Sequence, residues 1–182
     1  MNQQTIITTL LITAFTISAV TTATDINSGK TKQANITAKT VEVIDGDTVD
    51  IQNNGKDTVR VLGIDTPEIS GQNIPKEYFL ENTSKSRKCL REMGEKASEF
   101  AQEKLADREI QVATDSEADR RGAYGRLLAY LEYNGSDLGQ ELLKKGYARV
   151  YNSSFERKEK YRELGTESRR EGKGIWNESC GV

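Results

Sequence analysis

From Ile36 onward, apolar and polar positions alternate with a period of two. "ITAKTVEVI" runs toward Val41 and Val43, and "TVDI" resumes after an Asp-Gly-Asp interruption; such alternation marks strands with one face on a core. "NNGKD" is a hairpin turn signal. "DTVRVLGID" reads as a third strand, with Val59 and Val61 inward and Gly63 marking a bulge. These three strands predict an antiparallel meander. An irregular, polar piece holding Pro75 follows, from Ile69 to about Cys89. The period then changes: in "REMGEKASEFAQEKLAD", Met93, Ala97, Phe100, Ala101 and Leu105 share a helical face. "EIQVAT" and "RLLAYLEY" return to strand pattern. "SDLGQELLKKG" is a second helix framed by Ser136 and Gly146, and "YARVY" is a short extended piece. "SSFERKEKYRELGTESRREGKG" closes as a third helix on a thin stripe of Phe155, Tyr161 and Leu164. Five strands and three helices in this order predict an α+β, mainly β fold: a five-stranded Greek-key β-barrel of the OB type.

A chain of 182 residues is long enough for one domain with a sizeable core. With 26 basic and 28 acidic side chains, the net charge is −2, so contact with a polyanion must come from a local basic patch. Histidine is absent. That excludes Ser-His-Asp and Cys-His catalysis and histidine-ligated metals. Two cysteines are too few for a thiolate zinc site, which leaves oxygen ligands and a hard cation.

The first 23 residues carry no charged side chain, and the stretch Thr5 to Val20 is apolar and Thr-rich. Residues 1–23 are expected to be a secretory signal peptide cleaved near Ala23; the alternative is an uncleaved N-terminal membrane anchor. Residues 24–37 read as a polar, flexible linker, and residues 38–178 as the folded domain.

"IDGDT" (44–48) places Asp45 and Asp47 inside a β-branched run that ordinarily avoids them. "VRVLGIDTPEI" puts Arg60 five residues before Asp65, with Thr66 and Glu68 at the strand end, Arg60 sharing a face with Leu62 and Ile64 if the strand is regular. A lone Asp-Thr-Pro is an ordinary turn. Followed in order by "GEKASEF" (94–100) opening the first helix, by "YGR" (124–126) and by "GIW" after the last helix, the pattern resembles the staphylococcal (micrococcal) nuclease family from about Thr40 to Trp176.

The resemblance implies a role for each matching residue. Asp47 and Asp65 match calcium-ligating carboxylates, with the Thr66 carbonyl as a third oxygen. Arg60 and Arg126 match the arginines that grip the scissile phosphate, and Glu68 matches the glutamate assigned as general base. Tyr124 matches a tyrosine beside the phosphate, and Tyr151 is a second candidate. Asp45 also has a family counterpart, but it reads equally well as a turn former. The chemistry agrees: forked guanidiniums suit the charge that builds on an attacked phosphodiester, and Ca²⁺ tolerates a loose set of oxygen ligands.

The implied protein is a secreted, Ca²⁺-dependent endonuclease acting on DNA and RNA to leave 3′-phosphate ends. It needs no obligate protein partner and is expected to be a monomer. The alternative is a catalytically silent module of the same fold that binds nucleic acid or protein; such modules tend to lose charged site residues, which this chain keeps. Two departures stand out. Ala123 precedes Tyr124 where the best-known member has lysine, so substrate grip is expected to shift to Arg120 and Arg121. The stretch after Glu68 is long and reads either as a lid or as a surface insertion. Lys144, Lys145, Arg149 and the last helix read as a solvated charged face or as an extended nucleic-acid track. In an exported chain Cys89 and Cys180 are expected to pair, tying the insertion to the C-terminal tail; in a chain never exported they stay free thiols.

Overall fold

The computed structural model describes residues 34–181. The expected signal peptide and most of the expected linker lie outside the described residues. Among those described, no helix is long and apolar enough to cross a membrane.

The barrel forms as its alternation predicts. β1 (Asn35–Val43), β2 (Thr48–Gln52) and β3 (Lys56–Val61) make the antiparallel meander. β4 (Ile64–Asp65) is a separate two-residue strand. β5 (Glu109–Ala113) pairs antiparallel with β1, and β6 (Leu127–Tyr133) pairs with β5. A parallel pairing of β3 with β6 closes the five-stranded barrel, which removes exposed sheet edges. Val49, Ile51, Val59, Val61, Ile110 and Leu131 fill its interior. β1 begins at Asn35, within the stretch expected to be linker, because Asn35 to Lys39 pair with β5.

Two strands depart from strict alternation. A bulge between Thr40 and Glu42 turns Val41 outward, so Ala38 and Thr40 are the buried positions of β1. The third strand does not run regularly through to Asp65. It stops at Val61, turns at Leu62 and Gly63 (φ +82°), and resumes as β4. Arg60, Leu62 and Ile64 therefore do not share one regular face: Leu62 and Ile64 are buried, while Arg60 points into the site described below.

Helix α1 (Ser84–Leu105) starts earlier than apolar spacing indicates, because the Thr83 hydroxyl caps it by accepting from the Ser86 N–H at 3.1 Å. Cys89 consequently lies inside the helix, not before it. β7 (Ser136–Asp137) leads into α2 (Leu138–Lys145), whose N-cap is Asp137 in place of Ser136: its Oδ1 accepts from the Gln140 N–H at 3.1 Å. Gly146 ends α2 as expected. β8 (Arg149–Val150) pairs with β4, and α3 (Lys158–Arg170) completes the domain.

The thin stripe of α3 is supplemented by a polar clamp. Arg157 pairs with Asp137 and Glu132, both at 2.6 Å, and lies 3.9 Å from the Tyr130 ring centre; Tyr161 donates to Asp137 at 2.9 Å. Below α1 a second, smaller apolar cluster joins Tyr78 and Leu80 of the insertion to Leu90, Met93, Ile175 and Trp176. Cys89 and Cys180 are disulfide-bonded within it, with Cα atoms 5.1 Å apart. The bond ties α1, not a loose insertion, to the C-terminal turn.

Candidate active site

The site grows from the two interruptions the strand pattern could not absorb. Asp45 accepts a hydrogen bond from the Asp47 N–H at 3.0 Å, a local turn that aims the next carboxylate inward. Asp47 is buried. Its Oδ1 accepts from Arg60 Nη1 at 2.8 Å and from the Thr48 hydroxyl at 3.1 Å, and its Oδ2 accepts from the Thr66 N–H at 2.9 Å. Burial pushes its carboxyl up to about 7, against the pull of Arg60 and the Thr66 N–H and with a further push from Asp45 and Asp65. The buried anion is thus short of positive charge.

Helix α1 sets the separation of the two acid-bearing loops. A Cβ on Gly46 would lie 2.6 Å from Ala97 Cβ, and a Cβ on Gly94 would lie 2.3 Å from the Pro67 carbonyl oxygen. Each loop therefore rests on α1 at a contact that only glycine permits.

Arg60 lies opposite Thr48 on β2 and Leu128 on β6. Besides Asp47 it holds Asp65 Oδ1 through Nη2. Asp65 Oδ2 accepts from Arg149 at 2.8 Å and from the Tyr78 hydroxyl at 3.2 Å, and Arg149 also reaches Glu77 at 2.9 Å. Arg126 comes just before β6, two residues from the partner of Arg60, and donates to the Thr48 hydroxyl at 3.3 Å. Both arginines line a cavity of about 470 Å³, together with Tyr124 and Tyr151. Tyr124 is 87% exposed, its ring centre 5.8 Å from the Arg126 guanidinium.

Glu68 is exposed beside this network, with its main chain braced twice by Asn73 at 2.8 Å. Partial desolvation raises its carboxyl pKa, and Asp45 and Asp65 add to the rise while Arg60 and Arg126 oppose it. Asp47, Arg60, Asp65 and Thr66 are in direct contact; Arg126 joins through Thr48, and Tyr124 and Tyr151 stand on the cavity wall. Arg121 does not face that cavity. It forms a two-pronged pair with Asp57 (3.1 and 2.8 Å) and donates to the Gly125 carbonyl at 2.6 Å, which makes it a brace of the 120–126 turn. Lys145 sits over the Phe100 ring, and Arg149 belongs to the acidic network, so neither extends a common track with Lys144.

The contacts to Asp65 from Tyr78 and Arg149 were not visible in the sequence. Tyr78 lies in a stretch without periodicity and Arg149 far along the chain, and the only hint was a basic residue two positions before Tyr151.

The donor set suits a hard cation. A carboxylate offers about four lone-pair directions; three of them are taken on Asp47 and three on Asp65. Among the described residues no three acidic or thiol side chains gather into a ready-made metal cluster. A cation here would rest on these two carboxylates, the Thr66 carbonyl, water and substrate oxygens, a set that Ca²⁺ accepts.

Comparison with known proteins matches the chain to one family. Residues 58–178 match the family described as Staphylococcal nuclease homologue. An uncharacterised protein, MJ1439, of Methanocaldococcus jannaschii is 43% identical over 76% of this chain and 70% of its own length. Endonuclease YncB of Bacillus subtilis is 36% identical over 75% of this chain, which spans only 59% of that relative. Thermonuclease of Staphylococcus intermedius is 31% identical over 74% of this chain and 72% of its own. The chain belongs to the staphylococcal nuclease homologue family.

Proposed function

We propose that the protein is a secreted, Ca²⁺-dependent endonuclease that hydrolyses phosphodiester bonds of DNA and RNA and leaves 3′-phosphate ends. The observation that carries this reading is the placing of Arg60, on β3, and Arg126, just before the adjacent β6, at the wall of one cavity, with Arg60 pinned by Asp47 and Asp65. A guanidinium has five N–H donors; the two carboxylates use two of them on Arg60, which leaves three for a phosphate. Relatives named endonuclease and thermonuclease point to the same chemistry. The charge-free first 23 residues are the support for secretion.

Arg60 and Arg126 bind the non-bridging phosphate oxygens and hold them as negative charge builds in the transition state. Glu68 orients a water on phosphorus and takes its proton; the new P–O bond forms as the bond to the 5′ oxygen breaks, the 5′ oxygen takes a proton from solvent water to leave as a hydroxyl, and the phosphate stays on the 3′ side. Tyr124 and Tyr151 flank the phosphate from the cavity wall. When bound at Asp47, Asp65 and Thr66, Ca²⁺ supplies charge to the phosphate oxygen and to water. Digestion of plasmid, single-stranded DNA and RNA, with Ca²⁺, Mg²⁺ or chelator, tests the reading. Cleavage in Ca²⁺ that chelator abolishes supports it; full activity in excess chelator, or none in Ca²⁺, overturns it.

A further inference from the structure

A second groove, of about 300 Å³, adjoins the catalytic cavity, and Tyr151 lines both. Its floor is α3 and its far wall is the insertion after Glu68. Lys158, Arg162 and Arg169 project into it from α3, and no acidic side chain lines it among the described residues. The α3 surface elsewhere carries ion pairs within the helix, such as Lys160–Glu163 and Arg170–Glu167. Arg162 has such a partner in Glu159, but Lys158 bonds only to the Ser153 carbonyl and Asn152, and Arg169 lies over aromatic rings.

Phe79 is the unusual wall. It is 65% exposed, and its backbone is left-handed at φ +59°. A bulky residue rarely adopts that conformation, and a ring left mostly in solvent gains little from burial. Backbone strain of this kind clusters at ligand sites. The Phe79 ring centre lies 6.1 Å from that of Trp176, and the Arg169 guanidinium lies 4.6 Å from the Phe79 ring centre and 5.6 Å from that of Trp176.

A cationic floor with an exposed aromatic wall is the arrangement that holds an unpaired nucleic-acid strand: phosphates on the cations, a base on the ring. An acidic peptide would use the charges and leave Phe79 without a role. We infer that this groove is a strand-binding subsite, in which a base next to the scissile nucleotide stacks on Phe79 while Arg162 and Arg169 hold the following phosphates. The inference rests on the nuclease reading for its substrate.

The test compares oligothymidylates of three, six and nine nucleotides. Binding to the full chain is read by fluorescence anisotropy in chelator, and cleavage of a dinucleotide is read separately in Ca²⁺. The wild type should bind the nine-mer more tightly than the three-mer. Phe79→Ala should cut that gain about tenfold, and Phe79→Trp should keep it. Arg169→Gln should lower the salt dependence by about 0.7 in log–log slope, one phosphate contact on a single strand. All three should cleave the dinucleotide like the wild type, and Arg169→Gln, on an exposed helix face, keeps the test valid should Phe79→Ala not fold. An unchanged length gain in Phe79→Ala or an unchanged salt slope in Arg169→Gln overturns the subsite, as does an oligoglutamate that competes as well as the nine-mer. A wild type that fails to cleave the dinucleotide and longer strands sinks the nuclease reading instead, while the anisotropy still decides the groove.

Discussion

Arg149 Nη2 lies 2.8 Å from Asp65 Oδ2, so β8 holds from one side the carboxylate that Arg60 holds from the other. The pair is mostly shielded from solvent, and β4 and β8 carry it on adjoining positions, Asp65 being paired in register with Arg149. Arg149→Met keeps the stem but leaves Asp65 one charged partner short. Urea unfolding should show a loss of about 1–3 kcal/mol; an unchanged midpoint would mean that the pair does not hold in solution.

Arg60→Lys and Arg126→Lys each replace a planar fork with a point charge. Turnover should fall about 10²–10³-fold, the cost of one donor lost from a charged transition state. Circular dichroism on the same samples should show an intact fold, and near-wild-type turnover by either variant would remove that arginine from the chemistry.

Asp47→Asn and Asp65→Asn should weaken Ca²⁺ binding in calorimetric titration. Without calcium, Asp47→Asn should unfold no earlier than the wild type, because it removes a buried anion flanked by Asp45 and Asp65. Unchanged Ca²⁺ affinity in both variants would place the cation elsewhere.

The Asp57–Arg121 pair gives a pH signature away from the site. Its hydrogen bonds to Arg121 hold the Asp57 carboxyl below its ordinary value. The stabilisation is therefore complete above the unfolded carboxylate pKa of about 3.9 and is lost as pH falls through the lower folded value. Because both side chains are partly exposed, the effect is at most about 1 kcal/mol. The stability difference between wild type and Arg121→Ala should shrink in acid denaturation series below about pH 4; a difference that stays constant would assign it to packing.

The disulfide between Cys89 and Cys180 closes a loop with a sequence separation of 91. In the chain-entropy model this removes about 4–5 kcal/mol of denatured-state freedom. Reduction should lower thermal stability without altering dinucleotide cleavage, since neither sulfur touches the site. Mass spectrometry of the protein isolated from its native host should find no free thiol; two thiols alkylated without reduction would show that the bond does not form there.

The barrel was legible because short β-rich runs are separated by clear turn signals, and the cluster of Asp47, Arg60, Asp65 and Thr66 because its motifs resemble those of a known family; the interruption at Asp47 alone would have raised only a question. What stayed hidden depends on geometry that local pattern does not carry. The first turn of α1 is polar, so its start at Ser84 rests on the Thr83 cap and not on apolar spacing. Val41 fits the alternation, yet a bulge rotates it outward. The docking of α3 relies on Arg157, whose partners Glu132 and Asp137 lie beyond any helical period. Tyr78 sits in a stretch without periodicity, and only the closed fold brings it to Asp65.

The contacts of Gly46 and Gly94 against α1 bear on mechanical tolerance. Both acid-bearing loops are gauged against one rigid rod, so thermal displacement of that rod carries them along in step. Arg60, on β3, bonds to both carboxylates, so their spacing answers to the barrel as well as to the rod. Fluctuations that matter to the site are then those of rod against barrel, a single relative coordinate, and the apolar side chains between α1 and the sheet act as its damper.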